Sequence, residues 1–77
     1  MSYVAEQIIV EEGVYQWKPL CIGSKFRAVR AFLTARRGGV AAARVVSSSG
    51  THKYFDRRMS PEALKRKQPG YHKRRLR

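Results

Sequence analysis

The sequence has a single cysteine, Cys21, so it can form no internal disulfide and does not read as a secreted, cross-linked scaffold. Acid is scarce, with 5 Asp and Glu against 17 Lys and Arg. No apolar run approaches the ~20 residues that a transmembrane helix needs. The segment Met1 to Glu12 carries three acids and no base, unlike a secretory signal or an Arg-rich transit peptide. Also missing are a glycine-rich phosphate loop and any recognisable Ser-His-acid or Cys-His motif; Gly38-Gly39 is better explained as a helix stop. The three candidate metal ligands, Cys21, His52 and His72, stand 31 and 20 residues apart. Structural zinc sites show closer ligand pairs. These absences argue against an enzyme, a metal centre and a small-molecule substrate, and no cofactor is expected. A reducing intracellular setting suits the lone thiol.

What the sequence does have is base. Its 77 residues hold one small domain, with or without a tail, and the net charge is +12. A chain this short with that much like charge repels itself unless a polyanion neutralises it. The charge is unevenly placed: residues 1–23 sum to −2, residues 24–50 to +6 and residues 51–77 to +8. Apolar residues, 43% of the chain, are concentrated before residue 56. The reading is a small folded region over residues 1–58 and a basic helix and tail over 59–77, ordered by nucleic acid.

Residues 3–10 are β-branched or aromatic at five of eight positions, and Glu11-Glu12-Gly13 closes the run like a turn, so a short strand is expected. Residues 14–22 form a second strand or an extended arm, with Pro19 restricting it to an edge. Trp17 and Tyr15 there are expected to pack against the helix that follows or against a neighbouring protein. That helix is the clearest element: Ser24 is an N-cap, Phe26, Val29 and Leu33 with Phe32 recur at helical spacing toward a core, and bases fill the other faces. Residues 40–46 are ambiguous between helix and strand. If a strand, residues 51–55 return as its hairpin partner around the Ser47 to Gly50 loop. Ser60-Pro61-Glu62 starts a short helix that ends before Pro69-Gly70. The expected fold class is therefore small α+β: an N-terminal strand, a central basic amphipathic helix, a hairpin or second helix, and an extended basic C-terminal helix or arm.

Arginine and lysine pair with phosphates and release counterions, and aromatic rings stack on unpaired bases. The candidate nucleic-acid contacts are Lys25, Arg27, Arg30, Arg36 and Arg37 on the central helix, then Arg44, Lys53, Arg57 and Arg58. Lys65, Arg66 and Lys67 follow on the last helix, and Lys73, Arg74, Arg75 and Arg77 in the tail. Tyr54, Phe55 and Tyr71 are the stacking candidates, although Tyr54 and Phe55 read first as core. A basic amphipathic helix also suits an anionic membrane surface, but the polar, basic sequence that follows reads more naturally as nucleic-acid binding.

The order of features resembles a known family. Ile8-Ile9-Val10-Glu11-Glu12-Gly13 is followed by a helix with Arg27, Arg30 and Phe32, then Gly39-Val40, then the step Tyr54-Phe55-Asp56-Arg57 leading into Lys- and Arg-rich sequence. Over residues 8–68 this is similar to the small-subunit ribosomal protein numbered twenty-one of the bacterial and mitochondrial series. The resemblance implies an rRNA-binding protein of the small subunit, in a mitochondrial ribosome or else in the cytoplasm, with ribosomal proteins as neighbours. It also implies that Arg27 and Arg30 face RNA, that Tyr54 and Phe55 anchor the basic segment, and that Arg57, Arg58, Lys65, Arg66 and Lys67 track phosphates. The family pattern runs a helix into the Tyr-aromatic step, where this chain has the Ser47 to Gly50 loop. From other classes, a phage- or plasmid-type DNA-binding protein using residues 24–37 as a recognition helix fits the charge, as does a virion protein on packaged nucleic acid.

Overall fold

The computed structural model describes residues 2–68; Tyr71, His72 and the tail bases Lys73, Arg74, Arg75 and Arg77 lie outside the described residues. Six elements follow one another: β1 (Tyr3–Glu11), β2 (Val14–Gly23), α1 (Lys25–Arg37), β3 (Ala42–Ser47), β4 (Gly50–Asp56) and α2 (Pro61–Lys67). The strands form one antiparallel sheet in the order β2-β1-β3-β4. Strand accounts for 48% of the described residues and helix for 30%. Strand at about twice the usual ~20–25% makes the sheet the frame of the molecule.

This corrects the expected architecture. An N-terminal strand with a central helix and a basic C-terminal helix or arm underestimates the sheet, because each strand was legible only locally while β1 pairs with β3 across 38 residues, at Glu6 and Arg44. The ambiguous segment 40–46 is β3 in a hairpin with β4, and no helix runs into Tyr54. Of its alanines Ala43 lies beneath α1, where a small side chain suits the strand, while Ala42 faces the other side opposite Asp56. The expected short helix after Ser60 is α2: the Ser60 hydroxyl accepts from the Ala63 amide at 3.2 Å, and Gln68 donates its side-chain amide to the Tyr54 carbonyl.

The β1–β2 hairpin turns on Glu12 and Gly13, at φ 53° and 80°. Positive φ at both central residues is what a two-residue type I′ turn requires, and its twist matches that of the strands. Pro19 sits on the outer strand, as its missing amide demands. Beside it the register slips: Ala5 pairs with Cys21 but Glu6 pairs with Pro19, leaving Leu20 as an extra residue. A second slip in β4 leaves His52 extra between Thr51 and Lys53.

α1 lies across one face of the sheet. Ser24 accepts from the Arg27 amide at 3.3 Å, and the far end closes with Gly39 at φ +89°, the Val40 amide donating to Ala35 and the Gly39 amide to Arg36. This is a Schellman closure, for which glycine is the low-cost residue. The helix is rotated from its expected setting. Ala28, Phe32 and Ala35 are buried, whereas Phe26 is 68% exposed and Leu33 is also exposed. Ala28, Phe32 and Ala35 pack on Ala5, Ala43 and Val45, with Tyr3, Cys21 and Phe55 around them. Small side chains on both layers let the helix approach the sheet closely, and Phe32 is the one large group between them.

Candidate nucleic-acid interface

Side chains alternate across a strand, so the residues between those that meet α1 project from the opposite face. There the sheet is not covered by α1, and it carries Glu6, Ile8, Tyr15, Trp17, Arg44, Tyr54 and Asp56. Pairing sets them in rows: Glu6 opposite Arg44 opposite Tyr54, Trp17 opposite Ile8, and Tyr15 opposite Val10.

Two similar units stand on this face. In one, Arg44 Nε donates to Glu6 Oε1 at 2.7 Å while its guanidinium carbon lies 4.0 Å from the centre of the Trp17 ring. In the other, Arg58 donates from Nε to Asp56 Oδ1 at 2.8 Å and from Nη2 to Oδ2 at 2.7 Å, and its guanidinium lies 4.7 Å over the Tyr15 ring. Tyr54 stands by both, its ring centroid 6.5 Å from that of Trp17 and its hydroxyl donating to Asp56 Oδ2 at 3.0 Å. Each guanidinium thus has a carboxylate at its edge and an aromatic ring beneath, an arrangement that suits its planar fork.

Asp56 is 3% exposed and accepts, besides these, the Arg58 backbone amide at 2.9 Å. The Arg58 hydrogen bonds outweigh its burial and hold its carboxyl down to about 2. Arg58 in turn is pushed above its ordinary range, chiefly by its bonds to Asp56. Tyr54 is raised from 10, first by burial and then by the Asp56 carboxylate its hydroxyl faces. Around the units Trp17, Arg44, Thr51, Tyr54, Arg58 and Lys67 line an open recess of about 340 Å³.

The other candidates distribute themselves elsewhere. Lys25, Arg27, Arg30, Arg36 and Arg37 are all exposed on α1. Arg30 and Arg37, two turns apart, point away from the sheet, and Arg30 lies 5.6 Å over the exposed Phe26 ring. Arg57 is occupied internally: Nε donates to the Val40 carbonyl at 3.0 Å and Nη2 to the Arg36 carbonyl at 2.6 Å, tying β4 to the end of α1. Phe55 belongs to the α1 side, packed against the core with the Arg36 and Arg57 guanidiniums 4.8 and 5.0 Å from its ring centre. Tyr54 and Phe55, read together from the sequence, therefore serve opposite faces. Lys53 is exposed on β4, and Lys65, Arg66 and Lys67 are exposed on α2. A second recess of about 250 Å³, lined by Phe32, Leu33, Phe55 and Leu64 among others, lies between α1, β4 and α2.

Of the two expectations for Trp17 and Tyr15, packing against the helix is the one the structure overturns. Counting alternately from Cys21, which packs under α1, puts both on the helix side. The extra residue Leu20 inverts that count, since one residue of slip moves every following side chain to the other face. Among the described residues no group of three potential metal ligands occurs; His52 Nε2 instead lies 2.6 Å from Ser47 Oγ, with its ring 4.9 Å from that of Tyr3. No helix among them is long and apolar enough to cross a membrane.

Comparison with known proteins finds no family model that matches the chain, and no significant match among curated proteins or solved structures.

Proposed function

We propose that this chain is a structural, non-enzymatic RNA-binding protein of a ribonucleoprotein particle. The observation that carries the reading is the excess of base on both helices. Lys25, Arg27, Arg30 and Arg37 on α1, and Lys65, Arg66 and Lys67 on α2, have no carboxylate within 4.0 Å among the described residues. Cations presented from folded elements, without acids between them, are the electrostatic footprint of a phosphate backbone. The acids that could do proton chemistry support the same reading from the other side. Glu6 and Asp56 are engaged by arginines, and Asp56 is held far below the range a general acid or base needs near neutral pH.

The sequence resemblance makes small-subunit rRNA, in a mitochondrial ribosome, the first partner to examine. Crosslinking in cells, with sequencing of the attached nucleic acid and fractionation by sedimentation, tests this reading. Recovery of rRNA reads in the small-subunit fraction is the expected result. Recovery of DNA without RNA would overturn it in favour of a phage- or plasmid-type DNA-binding protein.

A further inference from the structure

We infer that the open face of the sheet binds unpaired nucleotides by stacking, while phosphate charge is neutralised by the bases of α1 and α2. The inference rests on the RNA-binding reading above and assigns the two tasks to different surfaces.

Three features of the open face point to it. The first is a concentration of planar groups: Tyr15, Trp17 and Tyr54 stand among the guanidinium planes of Arg44 and Arg58. Both kinds of plane stack on nucleobases, and only bases splayed out of a helix can reach them. The second is charge. Arg44 and Arg58 each hold a carboxylate at 2.7 Å, so each unit is close to neutral and offers planes more than it offers attraction for phosphate. Such a surface is poorly suited to duplex backbone, which the uncompensated bases of α1 suit well. The third is preorganisation. Exposed arginines ordinarily lose rotamer freedom on binding, but these two are fixed between a carboxylate and a ring before any ligand arrives. The recess beside them, about 340 Å³ and lined also by Thr51 and Lys67, falls within the ~300–1,000 Å³ of small-ligand sites.

Trp17 is the single tryptophan of the chain, so its emission reports on this face alone. The full chain is titrated with a 12-nucleotide oligouridine and with a blunt RNA duplex of equal length, following both affinity and Trp17 fluorescence. Oligouridine is expected to quench Trp17, and the duplex to bind without quenching. Tyr15→Ser, at a position 53% exposed, is expected to keep the parent's far-UV circular dichroism and salt dependence. It should weaken oligouridine roughly 5- to 100-fold, the effect of losing one base stack, and leave duplex binding unchanged. Equal quenching by both RNAs, or oligouridine binding by Tyr15→Ser at parental strength without quenching in either protein, would overturn the inference and leave RNA binding by the helices standing. Failure of both RNAs to bind would remove the RNA-binding reading with it.

Discussion

Asp56 concentrates more bonds than any other side chain described here. It accepts from the Arg58 amide, the Arg58 guanidinium and the Tyr54 hydroxyl, and it is buried. Its folded pKa, about 2, lies below the ordinary carboxylate value, so the ionised form is the one that folding favours. The stability it contributes is therefore fully present above about pH 4 and is lost as pH falls toward 2. By linkage this amounts to on the order of 2 kcal/mol. In urea titrations from pH 5 to pH 2, the parent is expected to lose that much more stability than Asp56→Asn, which should be less stable at pH 7. At the hairpin, Glu12 holds a positive φ that a side chain with a Cβ adopts at a cost. Glu12→Asn, which suits a type I′ turn, should raise the urea midpoint by roughly 0.5–1 kcal/mol worth of stability. Some single positions were open to sequence reasoning: Ser24 and Ser60 are the caps that spacing predicts. Asp56 was not, because nothing local says that a lone acid in a basic stretch is buried.

α1 was legible in its limits and not in its orientation. Of the expected stripe Phe26, Val29 and Leu33 with Phe32, Phe32 is buried and Val29 packs against the core, yet the sheet beneath is paved with Ala5, Ala43 and Val45, which Ala28 and Ala35 fit more closely than Phe26 and Leu33. Hydrophobicity favours the larger side chains, while the steric demand of close approach favours the smaller ones, and the second is set by residues far away in sequence. The contrast is measurable. Phe32→Ala should cost ~3–5 kcal/mol, enough to unfold a domain of this size, whereas Phe26→Ser should lie within ~0.5 kcal/mol of the parent. Equal effects in thermal denaturation would place Phe26 in the core. β3 and β4 were legible only as an alternative to helix, since Ala-Ala-Ala-Arg-Val-Val has no period of its own, and pairing with β1 decides the matter.

For the molecule as a whole, charge was the most legible property, since it needs no fold to be counted. What the fold adds is where that charge lies: on α1, across the sheet from the open face, and on α2, while the arginines of the open face are already compensated. Binding to the RNA duplex should therefore weaken with salt in proportion to the helix and tail bases. Arg30→Gln and Arg37→Gln should each flatten the slope of log affinity against log salt by up to about 0.9, and removal of residues 73–77, with four bases, by up to about 3.6. An unchanged slope for the truncated chain would mean that the tail does not touch phosphate. RNA should also raise the melting temperature, because a ligand of the folded state stabilises it by mass action.

The extra residue at Leu20 gives this protein something like a reading frame in space. Tyr15 and Trp17 lie on the far side of it from the core-facing Cys21, so one residue of chain length decides which side of the sheet they occupy. Deleting Leu20 would leave the net charge unchanged while turning two aromatic rings toward the helix. Substitutions in β2 would tune such a surface gradually; a single-residue insertion or deletion would reverse it at once.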